Sequence, residues 1–165
     1  MTIDEFAKYV RGGGQAVAPE IIRNIESEFD DALPSDYLAF LQQCNGGEVS
    51  GRVIFGTNNP LTIAMVAGGY GCDYYLTNCY EDYWGRIPEE LLWTMSDSHG
   101  NGICLGISGN ARNFVYLWSA EGELSEVGRP SLSSSNLTVL ANSFSAFVAG
   151  LTQHEAISRN GPEPN

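Results

Sequence analysis

The sequence predicts an α+β domain: a mostly antiparallel sheet with N-terminal helices and a closing C-terminal helix packed against it. Three observations carry this. Apolar residues recur at helical spacing through the first quarter of the chain. From Glu48 onward the pattern changes to short β-branched and aromatic runs separated by Gly- and Asn-containing turns. A helical face returns near the end with Phe144, Phe147, Val148 and Leu151. Helices, then strands, then a helix is the order expected when helices cover one face of an antiparallel sheet.

Ile3, Phe6, Ala7 and Val10 line one face of a first helix, and Thr2 with Glu5 has capping-box spacing. Gly12-Gly13-Gly14 stops it. A second helix starts at Pro19, a residue suited to the first turn, and shows Ile21, Ile22, Ile25 and Phe29 on one side. Asp30-Asp31 end it, since acids oppose the negative end of a helix. A third helix follows Leu33-Pro34, with Tyr37, Phe40, Leu41 and Cys44 on its apolar face. Ser35 and Asp36 place acceptors by its exposed N–H groups. Asn45-Gly46-Gly47 reads as a helix stop and a turn into the first strand, because glycine enters the left-handed region without a steric penalty.

Glu48 to Phe55 reads as a strand ahead of a Gly56-Thr57-Asn58-Asn59-Pro60 turn, and Leu61 to Val66 fits strand or helix equally. Gly68 to Gly71 is a loop, and Leu76, Cys79, Tyr80 and Tyr83 outline a short helix before Gly85. Beyond it lies a meander with strands at Leu91–Ser96, Ile103–Ile107 and Phe114–Trp118. In the last of these Phe114, Tyr116 and Trp118 share one face and Val115 and Leu117 the other. Arg129 to Asn136 is a loop, and Asn142 or Ser143 caps the closing helix. Residues 1–153 are expected to form one domain and 154–165 a disordered polar tail.

The 165 residues include 20 Asp+Glu against 8 Lys+Arg, a formal net charge of −12. Such a surface repels phosphate backbones and anionic membranes and attracts a basic protein. The N-terminus has no basic stretch and no apolar core of a secretory signal, and no apolar run approaches the ~18 residues of a membrane span. A cytoplasmic location with Cys44, Cys72, Cys79 and Cys104 reduced is the expectation.

No residue pattern here is set up for catalysis. Asp97, Ser98 and His99 are neighbours in one turn and point different ways, so a turn held by Asp97 and Asn101 is expected in place of a triad. Cys72, Cys79, His99 and Cys104 have the wrong spacing for a zinc clip. Acid pairs such as Glu81-Asp82 and Glu89-Glu90 read as solvated faces. No metal and no cofactor is expected. The segment from Tyr70 to Trp84 is different, because its rings alternate with acids. Tyr70, Asp73, Tyr74, Tyr75, Tyr80, Glu81, Asp82 and Trp84 form the candidate partner-binding surface, since aromatic rings bury much area at little entropic cost and acids complement a basic partner. The same rings also suit packing between helix and sheet.

Leu33-Pro34-Ser35-Asp36-Tyr37-Leu38-Ala39-Phe40-Leu41, followed by Asn45-Gly46-Gly47, resembles the N-terminal signature of the SUKH superfamily. Ile87-Pro88, Asp97 with Gly100-Asn101, the strand Val115-Tyr116-Leu117-Trp118 and the run Leu140-Ala141-Asn142-Ser143-Phe144-Ser145-Ala146-Phe147 resemble later motifs of the same superfamily in the same order. Ser98 and His99 stand where a more Gly-rich run is usual, and the Tyr70 to Trp84 segment matches no motif of the family. The resemblance implies a bacterial immunity protein that masks a cognate toxin domain, often a nuclease. It also admits a regulatory scaffold of the same fold. A small-molecule hydrolase or ligand binder using Asp97 and His99 in a cleft is the alternative from a different class.

Overall fold

The first helix, α1 (Ile3–Ala7), is set by the capping box its sequence announces. The Thr2 hydroxyl accepts from the Glu5 N–H at 3.2 Å, and the Glu5 carboxylate accepts from the Thr2 N–H at 2.7 Å. That second bond holds the Glu5 carboxyl below its ordinary pKa. The folded value is the lower one, so this contribution is present at neutral pH and is lost as pH falls through the carboxylate range. A computed structural model describes residues 1–11, 16–29, 32–58, 60–69, 75–121 and 130–154, without the side chains of Glu28 and Tyr80. The expected polar tail, apart from His154, lies outside the described residues, as do Gly12-Gly13-Gly14 and Asp30-Asp31.

Helices α2 (Pro19–Glu28) and α3 (Ser35–Leu41) form where the apolar spacing places them. The closing helix α5 (Phe144–Ala149) is capped by Ser143, whose hydroxyl accepts from the Ala146 N–H at 3.0 Å. Asp36 ties α3 to α5: its carboxylate accepts from the Ser145 N–H at 2.8 Å and from the Ser145 hydroxyl at 3.0 Å. Beneath that tie Phe6, Tyr37, Phe40 and Phe144 are fully buried, with the Tyr37 and Phe144 rings edge to face at 5.0 Å. The Phe6 and Phe40 rings stack at 5.6 Å.

The sheet runs in the order β1 (Val10–Arg11), β2 (Gly47–Phe55), β3 (Leu61–Val66), β4 (Leu91–Asp97), β5 (Gly102–Gly106), β6 (Val115–Trp118), β7 (Leu137–Ala141). Strand β8 (Leu151–His154) also pairs with β2, and every pairing is antiparallel. The architecture is therefore α+β, and Leu61–Val66 resolves as a strand. An irregularity in β2 between Glu48 and Val53 divides its outer edge: Glu48 and Val49 pair with β1, and Arg52 to Phe55 pair with β8. In β4 the extra residue Thr94 makes a bulge against β5, and its hydroxyl donates to the Ile103 carbonyl at 2.8 Å. The bulge lets Leu92 and Met95, three positions apart, enter the same core.

The two sheet faces carry separate cores. Leu92, Met95, Ile103, Leu105 and Val115 join the helices in the larger one. Leu91, Trp93, Cys104, Ala111, Tyr116 and Trp118 form a smaller one on the opposite face, which α4 (Leu76–Tyr83) and Ile87 help to close. The expected split is observed for Tyr116 and Trp118 on one side and Val115 on the other, whereas Phe114 precedes β6 and is exposed, and Leu117 joins neither core.

Asn45-Gly46-Gly47 is a structural stop. Gly46 sits at φ +78, and a Cβ there would lie 2.6 Å from the Gly68 nitrogen. A Cβ on Gly68 would lie 1.8 Å from the Asn45 carbonyl oxygen. The end of α3 and the end of β3 touch backbone to backbone, and the Asn45 side chain accepts from the Gly69 N–H at 2.7 Å.

Three strands differ from the sequence pattern. Val10 leaves the helical face it was expected to share and pairs with Val49. Leu151 opens β8 instead of extending α5, which ends at Gly150. Strand β7 follows the Ser-rich loop with little amphipathic signal. All three lie at sheet edges, where a partner strand supplies the bonds that local spacing does not announce.

Gly46→Ala and Gly51→Ala form a matched pair, since Gly51 has nearly the same φ (+77) but open space around it. Chemical denaturation is expected to show Gly46→Ala costing about 1–3 kcal/mol more than Gly51→Ala, the difference being the backbone clash.

Candidate functional site

Helix α4 is held at both ends. At its start the Leu76 N–H donates to the Gly68 carbonyl at 2.9 Å, and Leu76 is fully buried in the larger core. At its end the Tyr83 ring stacks on Trp93 with centroids 3.8 Å apart and planes at 10°. Trp118 meets both rings edge-on, at 5.8 Å from Tyr83 and 5.7 Å from Trp93. Trp93 lies flat because β5 carries Gly102 beneath it, where a Cβ would be 2.1 Å from the indole. The Arg86 guanidinium sits 4.6 Å from the Tyr83 centroid and 5.6 Å from that of Trp118.

This stack decides which ring faces water. With Tyr83 turned inward, its neighbour Trp84 points out and is 62% exposed. Glu81 and Asp82 are exposed one turn earlier, and Glu89 is exposed just beyond. Tyr83, Trp84, Gly85, Ile87, Pro88, Glu89 and Pro130 enclose a notch of about 70 Å³. The half-buried Glu90 contributes with burial to raising the Tyr116 hydroxyl above its ordinary pKa, burial being the larger cause.

Of the candidate partner-binding residues, Glu81, Asp82 and Trp84 come together at the exposed end of α4. Tyr75 packs, half-buried, against the larger core. The Tyr80 side chain lies outside the description, and Tyr70, Asp73 and Tyr74 lie outside the described residues. Sequence spacing put Tyr83 on the apolar side of the helix and Trp84 among the surface candidates, without naming what Tyr83 packs on. The signal was present in Trp93 and Trp118, two rings on the strand face opposite the helices. Phe114 and Val139, 37% and 54% exposed, are the other large apolar side chains turned to water among the described residues.

The last turn of α4 carries Glu81 and Asp82 and no basic residue. Negative charge there opposes the helix dipole, at a cost of typically about 0.3–1 kcal/mol per charge. The arrangement concentrates negative potential around an exposed indole, which suits a cationic surface.

The turn after β4 has another role. The buried Asp97 carboxylate accepts from the His99 N–H at 2.9 Å, the Asn101 N–H at 2.8 Å and the Asn101 side-chain amide at 2.9 Å. Asn101 in turn accepts from the Ala120 N–H at 3.2 Å. The His99 side chain is 77% exposed, with its ring 3.8 Å from Asp97. Asp97 thus holds the turn shut, as its sequence position suggested, and the His99 side chain stands in solvent. Burial pushes the Cys104 thiol far above its ordinary pKa. No disulfide links Cys44, Cys79 and Cys104, and Cys72 lies outside the described residues. Among the described residues no three His, Cys, Asp or Glu side chains converge as metal ligands, and no helix is long and apolar enough to cross a membrane.

Tyr83→Ala and Trp84→Ala should separate packing from exposure. In denaturant titrations Tyr83→Ala is expected to cost about 2–4 kcal/mol, whereas Trp84→Ala should stay within about 1 kcal/mol of the parent.

No curated protein matches the chain at a significant level. The family model described as SMI1 / KNR4 family (SUKH-1) matches residues 16–150, a span that runs from before α2 through α5 and includes the Asn45-Gly46-Gly47 lock, the Asp97 turn and the capped closing helix. The chain belongs to the SMI1/KNR4 (SUKH-1) family of the SUKH superfamily.

Proposed function

We propose that this chain is a cytoplasmic immunity protein that neutralises a cognate bacterial toxin domain by masking it, with the exposed end of α4 as its docking surface. Family membership supports a protein-interaction domain in general. The observation that carries the finer reading is Trp84, 62% exposed beside Glu81 and Asp82 at a helix end where acids do not help folding. An aromatic anchor ringed by acids fits a basic partner, and the net charge of −12 would speed the encounter. Tyr70, Asp73, Tyr74 and Tyr75, which precede α4 in the sequence, and Tyr80 within it remain part of the proposed surface.

The reading does not route any chemistry through Asp97 and His99, because the Asp97 carboxylate is engaged by its own turn. A regulatory scaffold of the same fold would use the same surface on a partner without toxic activity.

The test pairs the chain with the toxin domain encoded beside its gene. Co-expression is expected to protect cells from that domain, and the two should copurify. Trp84→Ala combined with Glu81→Lys and Asp82→Lys is expected to weaken binding by about 30-fold or more in calorimetry while leaving the fold intact. The association rate of the parent should fall as salt is raised. Tight binding that the triple variant retains would sink the surface assignment. A neighbourhood without a toxin, with no protection by the chain, would sink the immunity reading.

A further inference from the structure

The sheet ends differently at its two edges. On the β2 side the outermost pieces are β1 and β8, two and four residues long, carrying Arg11 and His154. On the other side β7 reads Leu137-Thr138-Val139-Leu140-Ala141, with neither a charge nor a proline. Charges and prolines are the usual protection of an open edge, and β7 has neither.

The ladder tells which way its main chain faces. The Gly106 N–H donates to the Phe114 carbonyl, and the Ser119 N–H donates to the Asn136 carbonyl, both at 2.8 Å. With Cys104 opposite Tyr116 and Tyr116 opposite Val139, antiparallel alternation directs the Tyr116 main chain toward β5. The same alternation turns the Val139 N–H and C=O away from β6. Strand β7 ends the strand order, so among the described residues no further strand lies on that side. The Val139 side chain, 54% exposed, shares a face with Phe114, 37% exposed, so apolar surface and open backbone coincide.

We propose that β7 is a self-association edge: two copies of this chain pair β7 with β7 antiparallel, across a two-fold axis at Val139. A two-fold contact sets one patch against itself and needs self-complementarity. A strand with outward N–H and C=O on one residue meets that need. Charge argues for the same occupant. Elsewhere the chain, at −12, repels its own kind, but no charge lies in β7. A basic partner would find no acid within this strand to recognise. The bulge at Leu140, where Val115 faces Ala141 but Tyr116 faces Val139, keeps the pairing short. The dimer is therefore weak, with a dissociation constant on the order of 100 µM. This surface shares no residue with the α4 surface, so either assignment can fail without the other.

Sedimentation velocity on the full chain from about 10 µM to about 1 mM is expected to show a monomer–dimer equilibrium. Added salt should strengthen it by screening the self-repulsion, the opposite of its effect on association with a basic toxin. Val139→Lys should abolish the dimer with an unchanged circular dichroism spectrum, and Val139→Thr should keep it. Hydrogen exchange at the Val139 amide should slow as concentration rises, a readout that depends on no variant. A monomer throughout, at low and high salt, overturns the proposal. So does a dimer that survives Val139→Lys, or exchange at Val139 indifferent to concentration. A foreign protein strand bound at β7 by a chain that never self-associates also overturns it.

Discussion

The rest of the structure depends on the close approach of two backbones, at Asn45-Gly46 and at Ala67-Gly68. No side chain fits between them: a Cβ on either glycine would fall inside the other segment. The contact fixes where α3 stops, where β2 starts and where β3 ends. It also fixes α4, because the Gly68 carbonyl accepts the first N–H of that helix. A motif that reads as a loop in one dimension is a joint between four elements in three. Its glycines are required by space and by φ together, which is a stronger demand than a turn alone makes.

From that joint the two faces of the sheet develop separately. The helices bury the larger core, pinned across the chain by Asp36 and Ser145. The smaller core is built around the rings of Trp93, Tyr116 and Trp118, and it closes because Gly102 admits the Trp93 ring and Tyr83 stacks on top. Stacked and edge-to-face rings add to their area burial by about 0.5–1.5 kcal/mol per pair. The exposed Arg86 lays its guanidinium over the rings of Tyr83 and Trp118. Glu81, Asp82 and Glu89 are exposed around it and outnumber it in charge.

Folding and solubility are therefore both left unoptimised at the end of α4. A helix optimised for folding would carry cations there, and a surface optimised for solubility would not expose Trp84. Asp97 shows the contrary case. It is buried and saturated with hydrogen bonds, so its energy goes into holding the β4–β5 turn. An acid beside a histidine is thus distinguished from a reactive pair by where its oxygens point.

Much was legible in the sequence. Helical spacing placed α2, α3 and α5, the Thr2 and Glu5 pair announced the first cap, and alternation in β6 identified two opposed faces. These are local effects, set by spacing and by groups within a few residues. Tertiary structure alone decided the edges and the site. Val10 and Leu151 became strands because β2 offered them hydrogen bonds, and β7 became one because β6 did. Helical spacing put Tyr83 on the apolar side of α4 and left Trp84 as a surface candidate, but it did not name what Tyr83 packs on. What holds Tyr83 inward is decided by Trp93 and Trp118, residues distant in sequence whose stack holds one ring and leaves its neighbour in water.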